Sequence, residues 1–452
     1  MVRALRGMAA AVLLALVIGG SFATGRQLRQ SVAGPIGSRV TALPGVGIGA
    51  GAGLMPGFAQ SDDTSPASTF QDVYTYVKQQ YVDRVDNDQK LGFGAVRSML
   101  AALDDPKTRF YDPAQKQRLI NELAGNYSGI GAVLTVVKEK RGEVEQNRLA
   151  VVAPVPGGPA DRAGIRPGDV INYIDKRWVI AYDPRYDLSQ LRLNRANAVQ
   201  YDKEWKDATK RLADGISLPK ALDVLSSTQK PLQLVIERAG SPSPISVTVD
   251  PAPFVLKPAE YRRLNDHVGY LRITEFNDAA GAAIHEAAQD TQIHGLIVDL
   301  RDAAGGPIVG TSPLPIAAQD LLGAFTRGGV VANLVTKGNE RQSIAVSGEH
   351  HPVKLAVLIN RGTANIAEVV AAALKERGGA VLIGSRSFGD AIYQRLVPLR
   401  DDTAMTLTAG KFFTATGGDF GKKGIAPDIA MAVGGPQPDD AAVRRALGVV
   451  EG

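Results

Sequence analysis

The chain of 452 residues contains no cysteine. That absence excludes disulfides, thiolate metal sites and a cysteine nucleophile, and it is compatible with export. Histidine is scarce: His267, His285, His294, His350 and His351 show no HExxH or comparable ligand spacing. Neither a metal site nor an organic cofactor is indicated. The adjacent pair His350–His351 sits in a polar stretch and reads as a solvated loop. A basic field is missing too. The formal net charge of +5 comes from Arg3, Arg6, Arg26, Arg29 and Arg39, which all precede the first acidic residue, Asp62. The rest of the chain carries 46 basic and 46 acidic residues. Such a neutral body gives no footing for nucleic-acid binding.

What is present fits a globular protein of two or three domains, with 44% hydrophobic and 21% charged residues. Between Arg6 and Arg26 lie 19 residues without a charge, Gly7 to Gly25. They mark residues 1–30 as a secretory signal or signal anchor, and so place the protein outside the cytoplasm, in a periplasm or cell envelope. Ser21-Phe22-Ala23 offers a small-residue cleavage point. Arginines on both sides leave the topology open, so a cleaved leader and a membrane anchor both stand. Residues 31–68, rich in glycine, proline, alanine and serine, read as a flexible tether. Residues 69–124 have a helical pattern in which Val73, Val77, Tyr81 and Val85 recur at four-residue steps as a core-facing stripe. A turn-rich segment, LDDPKTRFYDP, follows at Leu103–Pro113.

The most informative stretch is Lys354–Gln394, KLAVLINRGTANIAEVVAAALKERGGAVLIGSRSFGDAIYQ. Lys354–Asn360 reads as a buried strand. Ala364–Arg377 has helical spacing and ends at Gly378-Gly379, and Ala380–Gly384 reads as a second strand. A strand, a tight turn and a helix can expose one side chain beside free helix N–H groups, which is how several hydrolases present a nucleophile. This stretch resembles the carboxy-terminal processing peptidases, or tail-specific proteases, whose pattern is roughly RGSASASEI followed by TFGKG.VQ. The family's nucleophile is the middle serine and its base is the lysine. On this chain RGTANIAE puts Asn365 at the serine position and SFGDAIYQ puts Asp390 at the lysine position, with the family spacing of 25 residues. The frame is kept and both reacting groups are replaced.

The resemblance runs from about Phe70 to Met431. In the family, RNNPGG supplies a glycine N–H that forms an oxyanion hole with the N–H after the nucleophile. Here RDAAGG (Arg301–Gly306) makes Gly305 or Gly306 and Ile366 the matching positions. GGPADRAGIRPGDVINYIDKRWV (Gly157–Val179) matches the signature of PDZ domains in bacterial proteases, through Pro159, Ala160, Ala163-Gly164 and Pro167-Gly168-Asp169. The PDZ resemblance implies a peptide-binding loop at Ser128, Gly129, Ile130 and Gly131, and an edge strand over Ala132–Val136 that includes Leu134. A peptide end would add to that edge as a strand while loop N–H groups hold its carboxylate. Residues 185–215 depart from the family as a charged insertion, read as a solvated helix; a lid or docking arm over the groove is the sharper alternative. Ser217–Ser227 reads as the helix that walls the groove.

These readings give an α/β multidomain protein with a helical amino-terminal region. A PDZ domain spans 125–252, and a crotonase-like ββα peptidase-type domain spans 253–436, followed by a tail at 437–452. Asn365 has no proton-bearing oxygen, and Asp390 has no hydroxyl to deprotonate. The simplest replacement for the serine–lysine contact is a hydrogen bond from the Asn365 amide to the Asp390 carboxylate. The implied function is a pseudopeptidase that binds protein or peptide carboxyl termini, or regulates or scaffolds an active peptidase or adaptor. The alternative is a working serine-type endopeptidase with a shifted site, for which Thr363 is the candidate hydroxyl.

Overall fold

The computed structural model describes residues 65–85, 88–142, 144–189, 198–432 and 440–452. The expected leader and nearly all of the tether lie outside the described residues. The chain divides into two compact units, 1–82 and 83–452. The first holds the helix Pro66–Gln80, started by Ser65, whose hydroxyl accepts from the Ser68 N–H, and by a proline in the first turn. This helix buries none of its residues. Val73 is 56% exposed and Tyr81 60%. Among the described residues of its own unit the stripe meets no core, where the sequence expectation was a core-facing side. Periodicity reveals an apolar face but not whether anything covers it. Among the described residues no helix is long and apolar enough to cross a membrane.

The second unit is built on a sheet whose strands run in the order Ala259–Arg263, Val268–Ile273, Gly295–Asp299, Lys354–Ile359, Val381–Gly384 and Ile429–Ala430. From Val268–Ile273 onward, neighbouring strands are parallel. Parallel strands need helical crossovers that cover both faces, which explains their nearly unbroken apolar runs. The two-residue alternation of side chains divides those runs between two cores. Leu296, Val298, Val357 and Ile359 face a cluster shared with the helices Gly281–Gln289, Ile316–Phe325 and Ile366–Gly378. Ile297, Ala356 and Leu358 face the opposite cluster, completed by Ala442, Val443, Ala446 and Val450. Those four belong to the helix Ala441–Glu451, which Asp440 caps by accepting from the Ala442 and Val443 N–H groups. The segment 437–452, expected as a tail, thus ends in a helix that closes one face of the sheet. Arg301, fully buried, bonds Asp299 and Asp440 and ties that helix to the turn that follows strand Gly295–Asp299.

A second sheet has the order Ile308–Val309, Ile392–Pro398, Ala404–Thr414, Gly329–Thr336 and Arg341–Val346. The short strand Arg109–Tyr111, between the helices Asp88–Ala101 and Pro113–Leu123, pairs with Ala404–Thr414, Arg109 lying opposite Thr406. The helical amino-terminal region is in this way stitched to the peptidase-like part, and Lys107 is carried to the segment around Asp390.

A separate sheet is inserted between Tyr127 and Phe254. Its order is Ala132–Arg141, Val144–Pro154, Val170–Ile174, Leu232–Glu237 and Ile245–Val249, which leaves Ala132–Arg141 at an edge. Its core includes Ile130, Leu149, Ile171, Ile236 and, from the helix Leu218–Ser227, Ala221 and Leu225. The chain enters and leaves this module through two paired strands, Asn126–Tyr127 and Phe254–Val255. A small apolar cluster of Val152, Ala153, Ala304 and Ala364 packs the module against the turns on either side of position 365.

Candidate active site

Strand Lys354–Ile359 runs into a turn and then into helix Ile366–Gly378, as the sequence pattern requires. Asn365 stands at the corner with φ 51° and ψ −118°. A non-glycine residue rarely adopts positive φ outside the left-handed helical region, and such backbone persists only where its surroundings hold it. Here the support is Glu368, one turn into the helix and fully buried. Its carboxylate accepts from the N–H groups of Asn365 (3.1 Å), Gly389 (2.7 Å) and Asp390 (2.7 Å), and from the Ser387 hydroxyl. One side chain therefore joins the nucleophile corner to the loop that carries the base position. Burial pushes the Glu368 carboxyl up to about 7, against the downward pull of those hydrogen bonds. Sequence reasoning did not single out Glu368. Its signal was the Asn-x-x-Glu spacing of a helix start.

Gly305, at φ 61°, makes a close approach to this corner. A Cβ added there would lie 3.3 Å from Asn365 Cβ and 3.5 Å from Ile366 N. The Ile366 N–H is in the first helical turn, where donors have no partner within the helix. Gly305, Asn365 and Ile366 thus converge as their spacing implied. Gly306 faces the other way: a Cβ there would meet Leu123 Cδ2 at 2.7 Å.

The expected bond between the Asn365 amide and the Asp390 carboxylate is not formed. Asn365 Nδ2 donates to the main-chain oxygen of Ile392 at 2.7 Å, and more weakly to that of Asp390 at 3.5 Å. The Asp390 carboxylate instead meets Lys107 Nζ at 2.5 Å. A half-buried carboxylate in a pocket suited to an amine needs a cation, and the amino-terminal region provides one. No spacing could reveal this partner, because the two residues are 283 positions apart.

Two of the hydroxyls near the corner are already engaged. Thr363 is fully buried; its hydroxyl donates to Leu300 O (2.8 Å) and accepts from Asn360 N (3.0 Å). Ser387 is also buried, its hydroxyl donating to Glu368 and accepting from the Ile425 N–H. Lys375 pairs with Asp428, and Glu376 bonds Thr416.

A cavity of about 490 Å³ joins this corner to the inserted module. Gly305, Gly306, Asn365 and Asp390 line one part of it. Ser128, Ile130, Gly131, Ala132 and Leu134 line another. Gly129 and Gly131 both have positive φ, and a Cβ on Gly129 would strike the Leu225 carbonyl at 2.2 Å. The helix end lies so close that Ile130 N already donates to Leu225 O (2.9 Å), and Ser128 Oγ to Ser226 O (3.0 Å). The insertion forms the helices Arg185–Ser189 and Ala198–Asp214. None of its described residues lines the cavity, so the lid reading gains no support. It packs on the module's outer side, where Arg211 lies 4.0 Å over the Trp178 ring.

Residues 267–431 match the profile of Peptidase family S41. The chain is 29% identical over 365 residues to a chloroplastic C-terminal processing peptidase of Tetradesmus obliquus, covering 79% of this chain and 70% of that protein. It is 28% identical over 375 residues to a carboxy-terminal-processing protease of Bartonella bacilliformis, covering 80% and 74%. Among solved structures it is similar to a photosystem II D1 C-terminal processing protease, with a TM-score of 0.59, 26% identity and coverage of 84% of this chain and 91% of that one.

Two outcomes follow from the site. Replacing Lys107 or Asp390 with alanine strands a partly buried charge, and a double-mutant cycle by urea denaturation should give a coupling of about 1–3 kcal/mol; a coupling near zero would mean the pair is not formed in solution. The second concerns pH. Burial pushes Glu122, Glu275 and Glu368 each up to about 7 from 4.5. Between those values the folded chain keeps protons that the unfolded chain has lost, so the stability these three groups contribute is fully present below about 4.5 and is lost as pH rises through 7. The melting temperature should therefore drop from pH 5.5 to pH 8. Glu275→Gln should remove on the order of 1–3 kcal/mol of that dependence, measured by denaturation at both pH values.

Proposed function

We propose that this chain, a homologue of the C-terminal processing proteases with a Peptidase family S41 domain over residues 267–431, is a pseudopeptidase that holds peptide carboxyl termini without cutting them. The observation that carries the reading is the state of the corner itself. Position 365 presents an amide already committed to Ile392 O, and position 390 presents a carboxylate neutralised by Lys107. Attack on a peptide carbonyl needs a hydroxyl or thiol and a base placed together. The hydroxyls of Thr363 and Ser387 are buried and bonded elsewhere, which disfavours a shifted catalytic site.

Binding does not need the lost groups. The inserted module, read as a PDZ domain, keeps Ala132–Arg141 at its sheet edge with the helix Leu218–Ser227 nearby, which suits strand addition by a peptide. The cavity then leads the peptide toward Gly305 and Asn365 in the part read as crotonase-like. Because Ile130 N is bonded to Leu225 O, seating a terminal carboxylate on that N–H requires the helix end to yield. The protein would work outside the cytoplasm, as a free or tethered peptide receptor, or as a scaffold for an active peptidase.

Fluorescence anisotropy with the full chain tests this. Peptides with a free carboxyl end should bind at least tenfold more tightly than the same peptides amidated. Equal affinity, or no binding of either, would refute capture of carboxyl termini.

A further inference from the structure

Six acidic side chains line the cavity: Asp104, Asp105, Glu122, Asp223, Glu275 and Asp390. Three of them are ion-paired, Asp104 with Lys138, Asp223 with Arg118 and Asp390 with Lys107. Asp105 accepts from the Lys107 N–H and the Thr108 hydroxyl. Glu122 and Glu275 are different. Among the described residues, the only hydrogen bond to the buried Glu275 carboxyl comes from a neutral group, the Tyr127 hydroxyl at 2.7 Å. Glu122, at the end of helix Pro113–Leu123, has no side-chain hydrogen bond. The cation that acts on it, Arg118, is already bonded to Asp223 at 2.7 Å.

The cations on the wall are likewise engaged. Arg97 bonds Asp112, Arg109 Nε bonds Pro106 O, and Lys107 and Arg118 hold the partners given above. Among the described residues neither glutamate is held in an ion pair, and the one cation that favours ionised Glu122, Arg118, is itself bonded to Asp223. The two glutamates face a passage that a peptide would occupy, beside the oxyanion turn, because Leu123 touches Gly306 and Asn277 Nδ2 bonds Leu123 O at 3.0 Å. Tyr127 also lines the cavity, its ring backed by Phe254 at 5.4 Å between centroids.

We propose that Glu122 and Glu275 form a subsite for a cationic peptide side chain, lysine or arginine, so that the captured carboxyl-terminal segment carries a positive charge where it passes the oxyanion turn. The proposal rests on the peptide-binding reading above and adds the class of peptide. An ammonium or guanidinium entering there would supply the counter-charge that both carboxyls lack, and its methylene stem would lie along the Tyr127 ring. Without a ligand burial holds each carboxyl up to about 7, and at Glu122 the charge of Glu275 adds to this. A cation should pull protons off them, so its binding should strengthen as pH rises through 7. The other titratable and charged groups facing the pair are Arg118, Tyr127 and Asp223; burial raises the Tyr127 hydroxyl well above its usual range, and the Lys220 ammonium, with Gln115 and Arg118, holds Asp223 below the ordinary carboxylate range.

The test is a set of free-carboxyl peptides in which lysine and norleucine, a neutral side chain of similar length, are exchanged at each position in turn, with affinity read on the full chain at pH 6 and pH 8. At one position lysine should bind at least tenfold more tightly than norleucine at pH 8, with a smaller ratio at pH 6. Glu275→Gln keeps an acceptor for Tyr127, and Glu122→Gln is a second, independent variant. In each, once folding is confirmed by circular dichroism, the ratio should fall below about threefold. Equal binding of lysine and norleucine at every position would overturn the subsite while leaving peptide capture standing. A lysine preference that survives in both variants would also overturn it. Failure of every peptide to bind would remove the capture reading and the subsite together.

Discussion

A single buried carboxylate fixes the geometry of the candidate site. Glu368 receives the N–H groups of Asn365, Gly389 and Asp390 and the hydroxyl of Ser387, and so holds two segments that the fold brings together from opposite ends of a helix and a strand. Four donors on one carboxylate make a rigid cradle, and their removal would leave several buried main-chain groups without partners at once. The strained corner at Asn365 survives for this reason, although the residue there no longer does what such a corner is built to do.

With the frame fixed, the chemistry is decided by the two positions it displays. These are an amide at position 365 and a carboxylate at position 390. Each has been absorbed into the surroundings by a different route, Asn365 through a main-chain oxygen of the neighbouring strand and Asp390 through an ammonium brought in by the amino-terminal region. The strand Arg109–Tyr111, paired to Ala404–Thr414, positions that ammonium. The same region contributes Glu122, and through Leu123 it touches the oxyanion turn. The cleft thus has the Lys107–Asp390 ion pair on one side and, among the described residues, unpaired carboxyls on the other, which supports the proposal that it holds a chain.

Much of this was legible in the sequence where it depended on local order. The apolar runs at Gly295–Asp299 and Lys354–Ile359 announced strands buried on both faces, and the Gly378-Gly379 pair marked the helix end, with Gly379 left-handed as a C-terminal cap requires. The resemblance to the peptidase pattern implied that positions 365 and 390 lie close together. Side-chain partners were not legible. The register puts Asn365 and Asp390 side by side, yet Lys107 outcompetes the amide because full charge on a half-buried carboxylate demands a cation. The stripe on Pro66–Gln80 and the residues Ala442, Val443, Ala446 and Val450 had similar amphipathic signals but opposite fates, the first left exposed and the second buried. Amphipathicity states that a face would gain from cover, whereas the rest of the fold decides whether cover arrives.

The central claim is that the corner at position 365 binds without reacting. Incubation of the full chain with an excess of tail peptide, followed over many hours by mass spectrometry, tests it most directly. The account predicts intact peptide throughout and no covalent adduct on the protein. Cleavage exceeding one equivalent per chain, retained through successive purification steps, would contradict it.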